Sequence, residues 1–369
     1  MATTEAKNIN HPLAVKIWSK LLSAESSKAT SIAPLMGTDE NSIIQVVDGL
    51  NKTAGDAVKT RLCAQLIGGD VTEGQALEGN TTLLLNETVR LNELSHAVRF
   101  KNKEIIDQQH IPFNLREYAK DGFVDWYADR LSMMFFIQAA GYTAPWMKFD
   151  GYTTTIKPVH YGFNEPLEPS KLRIFRSGNK KADEELTKDD EFTLSLIDDA
   201  VKRAKLANPK IRSVHVNGES VYVMYLHPEQ VMQLRTNTDA SQWLDITEAV
   251  CSESRAKTPI FDGSFGMYNG TILRESEYVP HGVHSKTQEP VLSVRRAVLL
   301  GAQSVILAYG RKDEPRYHLV EKLFDYDSEF GIAAKTIIGM KKSRYTLAYS
   351  TQGAQDFGTI VIPSFSKEI

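Results

Sequence analysis

Apolar side chains first recur at helical spacing in residues 11–22, where Leu13, Ile17, Trp18, Leu21 and Leu22 share one face. Pro12 falls in the first turn, where its missing N–H costs nothing. A Ser-, Ala- and Thr-rich stretch broken by Pro34 and Gly37 follows before any strand pattern. The pattern predicts a short amphipathic helix held ahead of the body by an extended arm, docked either on its own core or on a neighbouring subunit.

Residues 57–66 read as a strand, and residues 83–100 as a longer strand or a broken pair. Between them, residues 68–80 carry four glycines and few large apolar groups, the composition of a hairpin tip that cannot bury itself. A long two-stranded hairpin is only marginally stable alone, so it must lie on its own domain or on another chain. The strongest helix spans residues 115–140. Asn114 is its N-cap, Glu117 completes a capping box, and Gly141 stops it. Leu115, Tyr118, Phe123, Trp126, Leu131, Met134 and Phe135 supply the apolar stripe, while Gly122 marks a soft spot or a close-packing site. Such a helix runs about 40 Å.

A second helix is expected over residues 188–207, capped by Thr187 and Asp190, with Leu194, Ile197, Val201 and Ala204 as its stripe and Asn208-Pro209 as its end. Asp189, Asp190 and Glu191 then sit in its first turn, where negative charge complements the helix dipole. Asn217-Gly218 and Asn269-Gly270 predict two tight hairpins. Residues 220–226 are apolar on both faces and belong in the middle of a sheet. Pro228 starts a short helix to Arg235, residues 294–309 form one small-apolar run, and residues 357–363 form a closing strand. The chain reads as α+β, without βαβ regularity or internal repeats.

Composition changes this picture little. A net charge of −3 over 369 residues, and four lysines against five acids in the first fifty, give no basic arm for nucleic acid. Cys63 and Cys251 stand far apart, in no metal-ligand or redox spacing, and are expected as free thiols. Residues 1–7 do not read as a signal peptide, and the most apolar stretch, residues 131–140, is about half of a membrane span.

Candidate chemistry is sparse. No P-loop, dinucleotide-binding glycine pattern, nucleophile elbow or zinc-binding helix motif is present. His281-x-x-His284 lacks enough companion ligands for structural zinc. Asp325-x-Asp327-x-Glu329 opens like a calcium loop, but Phe330 and Thr336 occupy the positions that need glycine and an acid. Those acids are better read as the solvated face of a half-buried strand. Tyr142, Trp146, Tyr152, Tyr161 and Phe163 lack the interleaved cations of a nucleic-acid platform and are expected in packing.

A series of short motifs carries a resemblance along nearly the whole chain. It runs from residues 14–20 and Leu35-Met36-Gly37 through Gly55-Asp56, residues 77–80 and His96-Ala97-Val98-Arg99 to the capped helix at Leu115. It continues with Ala207-Asn208-Pro209, Val216-Asn217-Gly218, Leu226-His227-Pro228, Pro259-Ile260-Phe261, Tyr268-Asn269-Gly270, residues 299–303, Phe324-Asp325-Tyr326 and Ile338-Gly339. In this order of elements the chain resembles the major capsid proteins of tailed bacteriophages with the Hong Kong 97 (Johnson) fold, in the phage capsid-like branch of podophage type.

The resemblance implies four regions: an N-terminal arm (1–54), an extended E-loop hairpin (55–100), a peripheral domain with the spine helix (101–186 and 336–369), and an axial domain (187–335). It implies inter-subunit contacts through Leu13, Ile17 and Trp18 on the arm and through Gly68, Gly69, Gly74, Glu78, Asn80 and Arg90 on the hairpin. Leu115, Trp126 and Leu131 would form the core side of the spine helix. The implied work is self-assembly into hexamers and pentamers of an icosahedral head enclosing double-stranded DNA, without sequence-specific binding. Portal, scaffolding and decoration proteins are the implied partners, with assembly in the host bacterial cytoplasm and residence in the virion. No catalysis, cofactor, metal or membrane is expected. The rival readings are an encapsulin-like compartment shell, which would enclose enzymes, and a soluble carboxylate-dependent hydrolase.

Overall fold

Alternate side chains of the strand Glu219–Leu226 enter two different cores. The computed structural model describes residues 12–48, 55–64, 84–101, 115–148, 164–250, 258–310, 316–324, 329–346 and 353–367. Within it Val221, Val223 and Tyr225 join one buried cluster, and Tyr222, Met224 and Leu226 join another. The strand is central, as its two-sided apolar pattern requires. It lies between Pro290–Leu300, antiparallel, and Thr271–Glu275, parallel, in a seven-stranded sheet. Both Asn-Gly hairpins form there. Asn217 and Asn269 take φ of 50° and 45°, and Gly218 and Gly270 follow at 85° and 69°, the paired positive angles of a type I′ turn.

Five α-helices stand among the described residues: α1 (Pro12–Ala29), α2 (Leu115–Ala140), α3 (Leu194–Leu206), α4 (Pro228–Thr236) and α5 (Ala240–Glu248). Helices α3, α4 and α5 contribute to the core on one side of the seven-stranded sheet, where Ile197, Val201, Leu234 and Ile246 meet Met224, Leu299 and Ile360. On the other side lies α2, with Phe136 edge-on to Tyr225 at 5.0 Å. The same helix covers a second, six-stranded sheet built around the long strand Glu329–Lys342. There the Tyr127 hydroxyl donates to the Ala334 carbonyl at 2.7 Å. Serving two sheets explains why residues 131–140 are buried at every position. Gly141, at φ 61°, ends the helix where a Cβ would stand 2.5 Å from the Leu167 carbonyl.

Several expectations are corrected. α1 does not stop near Leu22 but runs to Ala29, because Ser19 and Ser26 are buried and the following Thr30 bonds Ser132 at 2.9 Å, so the polar stretch is docked. α3 begins at Leu194 after Thr193, not at Lys188. The Asp190 carboxylate instead closes a turn, accepting from the Thr187 N–H at 2.9 Å and pairing with Lys180. Asp189 and Glu191 therefore precede the helix. Tyr118, placed on the α2 stripe, is 65% exposed. Gly122 is exposed with open space around it and is not a close-packing site. The run 294–309 splits at Gly301 into Pro290–Leu300 and Val305–Tyr309, which enter different sheets.

The strand Glu329–Lys342 crosses the position where residues 335 and 336 were expected to separate two domains. The C-terminal strand Thr359–Phe365 pairs with Pro290–Leu300. The two sheets are thus tied by continuous chain and by one shared helix.

Candidate assembly interface

The hairpin grows from a closed root. Gly55, at φ 93°, donates its N–H to the Leu91 carbonyl at 2.7 Å, and Leu91 returns a bond to the Asp56 carbonyl at 2.8 Å. From there Ala57–Cys63 and Leu84–Arg90 pair antiparallel, with Ala57 opposite Arg90 and Cys63 opposite Leu84. The expected strand and broken pair are both present, and Asn92–Lys101 continues alongside Glu329–Lys342. Val58, Leu62, Leu85 and Val89 face inward onto Ile306, Ala308, Tyr345 and Phe357, so the root lies on its own chain.

Polar contacts clamp that root. Gln303 is fully buried; its carbonyl oxygen accepts from the Cys63 N–H at 2.9 Å, and its amide donates to the Arg61 carbonyl at 3.0 Å and to Gln45 at 2.8 Å. Arg212 donates to the Cys63 carbonyl at 2.9 Å. The buried Glu87 carboxylate accepts from Lys341 at 2.6 Å and from the Arg344 N–H at 2.9 Å. Arg90 is exposed, while its backbone N–H is held by the Asn164 side chain at 3.0 Å. Gln303 carried no sequence signal as a hairpin clamp, because its partners lie 240 and more positions away. The expected contact residues Gly68, Gly69, Gly74, Glu78 and Asn80 lie outside the described residues.

On the arm, α1 packs against α2 and against the strand Tyr317–Phe324. The Leu319 N–H donates to the Ser19 hydroxyl at 3.3 Å, so the helix covers part of a sheet edge. Glu25 pairs with Lys120 at 2.7 Å, and Trp18 is half-buried beneath Lys120. Ile17 and Leu21 point the other way, 57% and 42% exposed. Leu13 belongs to the same helix, with its side chain outside the described set. Of the three spine-helix residues, Leu131 is buried. Trp126 is half-buried and stacks on His96 with ring centres 4.3 Å apart. Leu115 opens the helix.

Buried charge is organised for packing. Asp183 accepts from Arg176 and Arg296, each at 2.7 Å, and from the Val283 N–H at 3.0 Å. Its burial raises the carboxyl pKa, but the two guanidinium groups outweigh that and hold it below the usual range. His281 is buried, and burial with the nearby Arg295 charge lowers its pKa to about 3. Its neutral imidazole sits in the strand His281–Val283. The Tyr142 hydroxyl donates to the Trp146 carbonyl at 2.5 Å, a packing role. Residues 325–328, Tyr152, Tyr161 and Phe163 lie outside the described residues. Among the described residues no three His, Cys, Asp or Glu side chains group as a metal site, and no helix is long and apolar enough to cross a membrane.

A two-sheet α+β body with a clamped hairpin root and an exposed face on α1 defines a shell subunit more readily than a catalyst. The chain belongs to the phage capsid protein family, whose model matches residues 7–368. It is similar to the major capsid protein of Pseudomonas phage KPP25, at 24% identity over 363 residues and 93% of each chain. It is also similar to the capsid of Ralstonia phage GP4, with a TM-score of 0.75, 26% identity and 90% of each chain covered. The cyanophage Pam1 capsid shares the fold, with a TM-score of 0.61, 20% identity and coverage of 92% and 93%. The architecture is the Hong Kong 97-like capsid fold, and the work of the chain is that of a major capsid protein, a structural component of the virion. These matches give no support to a cargo compartment or a hydrolase.

Proposed function

We propose that the chain builds the icosahedral head as hexamers and pentamers of itself around the double-stranded DNA genome, without catalysis and without reading sequence. Residues 1–54 act as the arm, 55–100 as the E-loop hairpin, 101–186 with 336–369 as the peripheral domain, and 187–335 as the axial domain. The observation that carries this reading is the hairpin: its root is clamped by Gln303, Arg212 and Glu87, a rigid base for an extension that needs another chain to rest on. Ile17 and Leu21 on α1 add an apolar surface suited to a neighbour. Obligate contacts of this kind bury on the order of 2,000 Å² or more. Portal, scaffolding and decoration proteins complete the particle, which assembles in the host bacterial cytoplasm.

Electron microscopy of the chain expressed alone, and together with its scaffold, tests this. Closed shells or capsomers are expected in at least one case. Removing the first 24 residues, or shortening residues 68–80, is expected to abolish shells or lower their melting temperature. A chain that stays a 41.3 kDa monomer in both settings overturns the reading.

A further inference from the structure

The ladder between Asn92–Lys101 and the long strand Glu329–Lys342 ends at the Asn92–Ile338 pair. Beyond it the chain turns off this sheet into the hairpin, with Leu91 and Arg90 at the corner. Leu91 bonds to Gly55 and Asp56, so its backbone contacts stay within the hairpin root. Arg90 is held from outside that root. Its N–H donates to the Asn164 side-chain oxygen at 3.0 Å, and its carbonyl accepts from the Asn164 side-chain amide. One buried carboxamide thus supplies the acceptor and the donor that a neighbouring strand would have supplied. Gly339 leaves room for this passage, since a Cβ there would stand 2.3 Å from the Arg90 carbonyl.

Asn164 is itself fixed. Its backbone carbonyl accepts from the Gln138 side-chain amide at 2.7 Å, and the Gln138 side-chain oxygen accepts from the Lys342 N–H at 3.3 Å. Three residues on, the Leu167 carbonyl accepts from the Lys342 ammonium at 3.3 Å. Gln138 lies buried in the last turns of α2 among Phe135, Phe136, Ile137 and Ala139. A carboxamide in such a setting is costly unless both of its ends are bonded. Both are, one to the long strand and one to the segment that grips the hairpin. Gln303 and Glu87 fasten the hairpin strands farther along, to Gln45 and to Lys341. The hold through Asn164 reaches α2.

We propose that Gln138 and Asn164 are positioning residues for assembly, a hydrogen-bonded relay that sets the direction in which the hairpin leaves the spine helix. The inference rests on the capsid reading and assigns residues within it. By strand rise Leu84 stands about 20 Å from Arg90, so a rotation of about 5° at the corner displaces it by about 2 Å. A shift of that size forfeits the close packing that a contact with another chain requires. Neither residue needs to touch that chain.

Hydrogen exchange and electron microscopy of the full-length chain test this. Gln138→Leu keeps the site apolar and removes the relay, and Asn164→Ala breaks it at the next link. Ile197→Val, in the core around α3, is the control for a general loss of stability. In the unassembled subunit, Gln138→Leu is expected to raise exchange at the Arg90 amide by about fivefold beyond the change at Met224, although that amide bonds Asn164 and not Gln138. Asn164→Ala should act in the reverse direction, on the Lys342 amide, by a similar factor, and this arm stands if Gln138→Leu fails to fold. With scaffold present, each variant is expected to lose about fivefold or more in closed, uniform shells relative to Ile197→Val, and the double variant no more than the worse single one.

Exchange at Arg90 and Lys342 that rises no more than at Met224 overturns the relay. Losses that multiply in the double variant overturn it too, because the residues then act independently. Faster exchange with shells as closed and uniform as those of Ile197→Val overturns the positioning role and leaves the capsid reading intact. A wild-type chain that forms no shells, even with scaffold, removes the capsid reading and this inference with it.

Discussion

Lys342 and Asp356 form an ion pair at 3.0 Å with side chains 2% and 0% exposed. Asp356 also accepts from Arg344 at 2.7 Å and from the Ser170 N–H at 3.1 Å. The pair joins the long strand Glu329–Lys342 to the last segment of the chain, and burial lowers the Lys342 pKa to about 8. Removing the Asp356 carboxylate leaves the Lys342 ammonium buried without its counter-charge.

Asp356→Ala is therefore expected to destabilise the subunit by about 3–5 kcal/mol. Lys342→Met should cost less, because Arg344 and the Ser170 amide still satisfy the carboxylate. Urea denaturation of the unassembled subunit measures both. Equal losses would show that Arg344 does not compensate.

Acid should weaken the fold through its buried imidazoles. His227 and His281 titrate near 3 in the folded chain, lowered first by burial and then by Arg295; Lys148 lowers His281 further, and Glu229 stands 3.7 Å from His227. A histidine held below its ordinary value of about 6.5 takes up protons preferentially when unfolded. Its stabilising share is full above pH 6.5 and falls as the pH drops toward 3. Between pH 7 and 4.5 a loss of a few kcal/mol is expected, on the order of 1.4 kcal/mol per unit for each group. His281→Gln should flatten this slope in denaturation midpoints measured across that range, and an unchanged slope would refute the assignment.

Gln303→Gly retains backbone freedom at a position with φ of 52° while removing the hairpin clamp. The Cys63 N–H and the Arg61 carbonyl lose their partner, at a cost of about 1–3 kcal/mol. Hydrogen exchange at residues 61–63 should accelerate well beyond the change in α2. Uniform acceleration would mean that the clamp has no local role.

Two glycines should respond oppositely to alanine. Gly122 lies exposed in α2 with nothing within 4 Å of where a methyl would stand, so Gly122→Ala should stabilise by up to about 1 kcal/mol. At Gly339 a Cβ would stand 2.3 Å from the Arg90 carbonyl, so Gly339→Ala should cost about 1–3 kcal/mol and loosen the strand beneath the hairpin. Thermal melts of the two variants give the comparison directly.

Local chemistry made much of this fold legible. The two Asn-Gly turns, the stop at Gly141 and the two-sided apolar strand at 219–226 follow from interactions a few residues apart. The start of α3 was not legible in the same way. Thr187 and Asp190 form a sound cap pattern, yet Lys180 draws that carboxylate into a turn and delays the helix to Leu194. The polar end of α1 failed for a related reason: Ser19, Ser26 and Thr30 are helical or buried only because α2 and the strand Tyr317–Phe324 supply partners.

By itself the sequence determined the α+β class, the long helix, the hairpin strands with their glycine-rich connection, and, through its ordered motifs, the capsid resemblance. These rest on periodicity, turn chemistry and composition, which act over short distances along the chain. Tertiary structure decided which faces remain open and which charges are buried. Gln303 meets Cys63 and Arg296 meets Asp183 only in the folded body, and Arg99 shares a face with Lys322 only once both their strands pair with Glu329–Lys342. Partnerships across a hundred or more residues leave no periodic trace, because packing alone brings their members within reach.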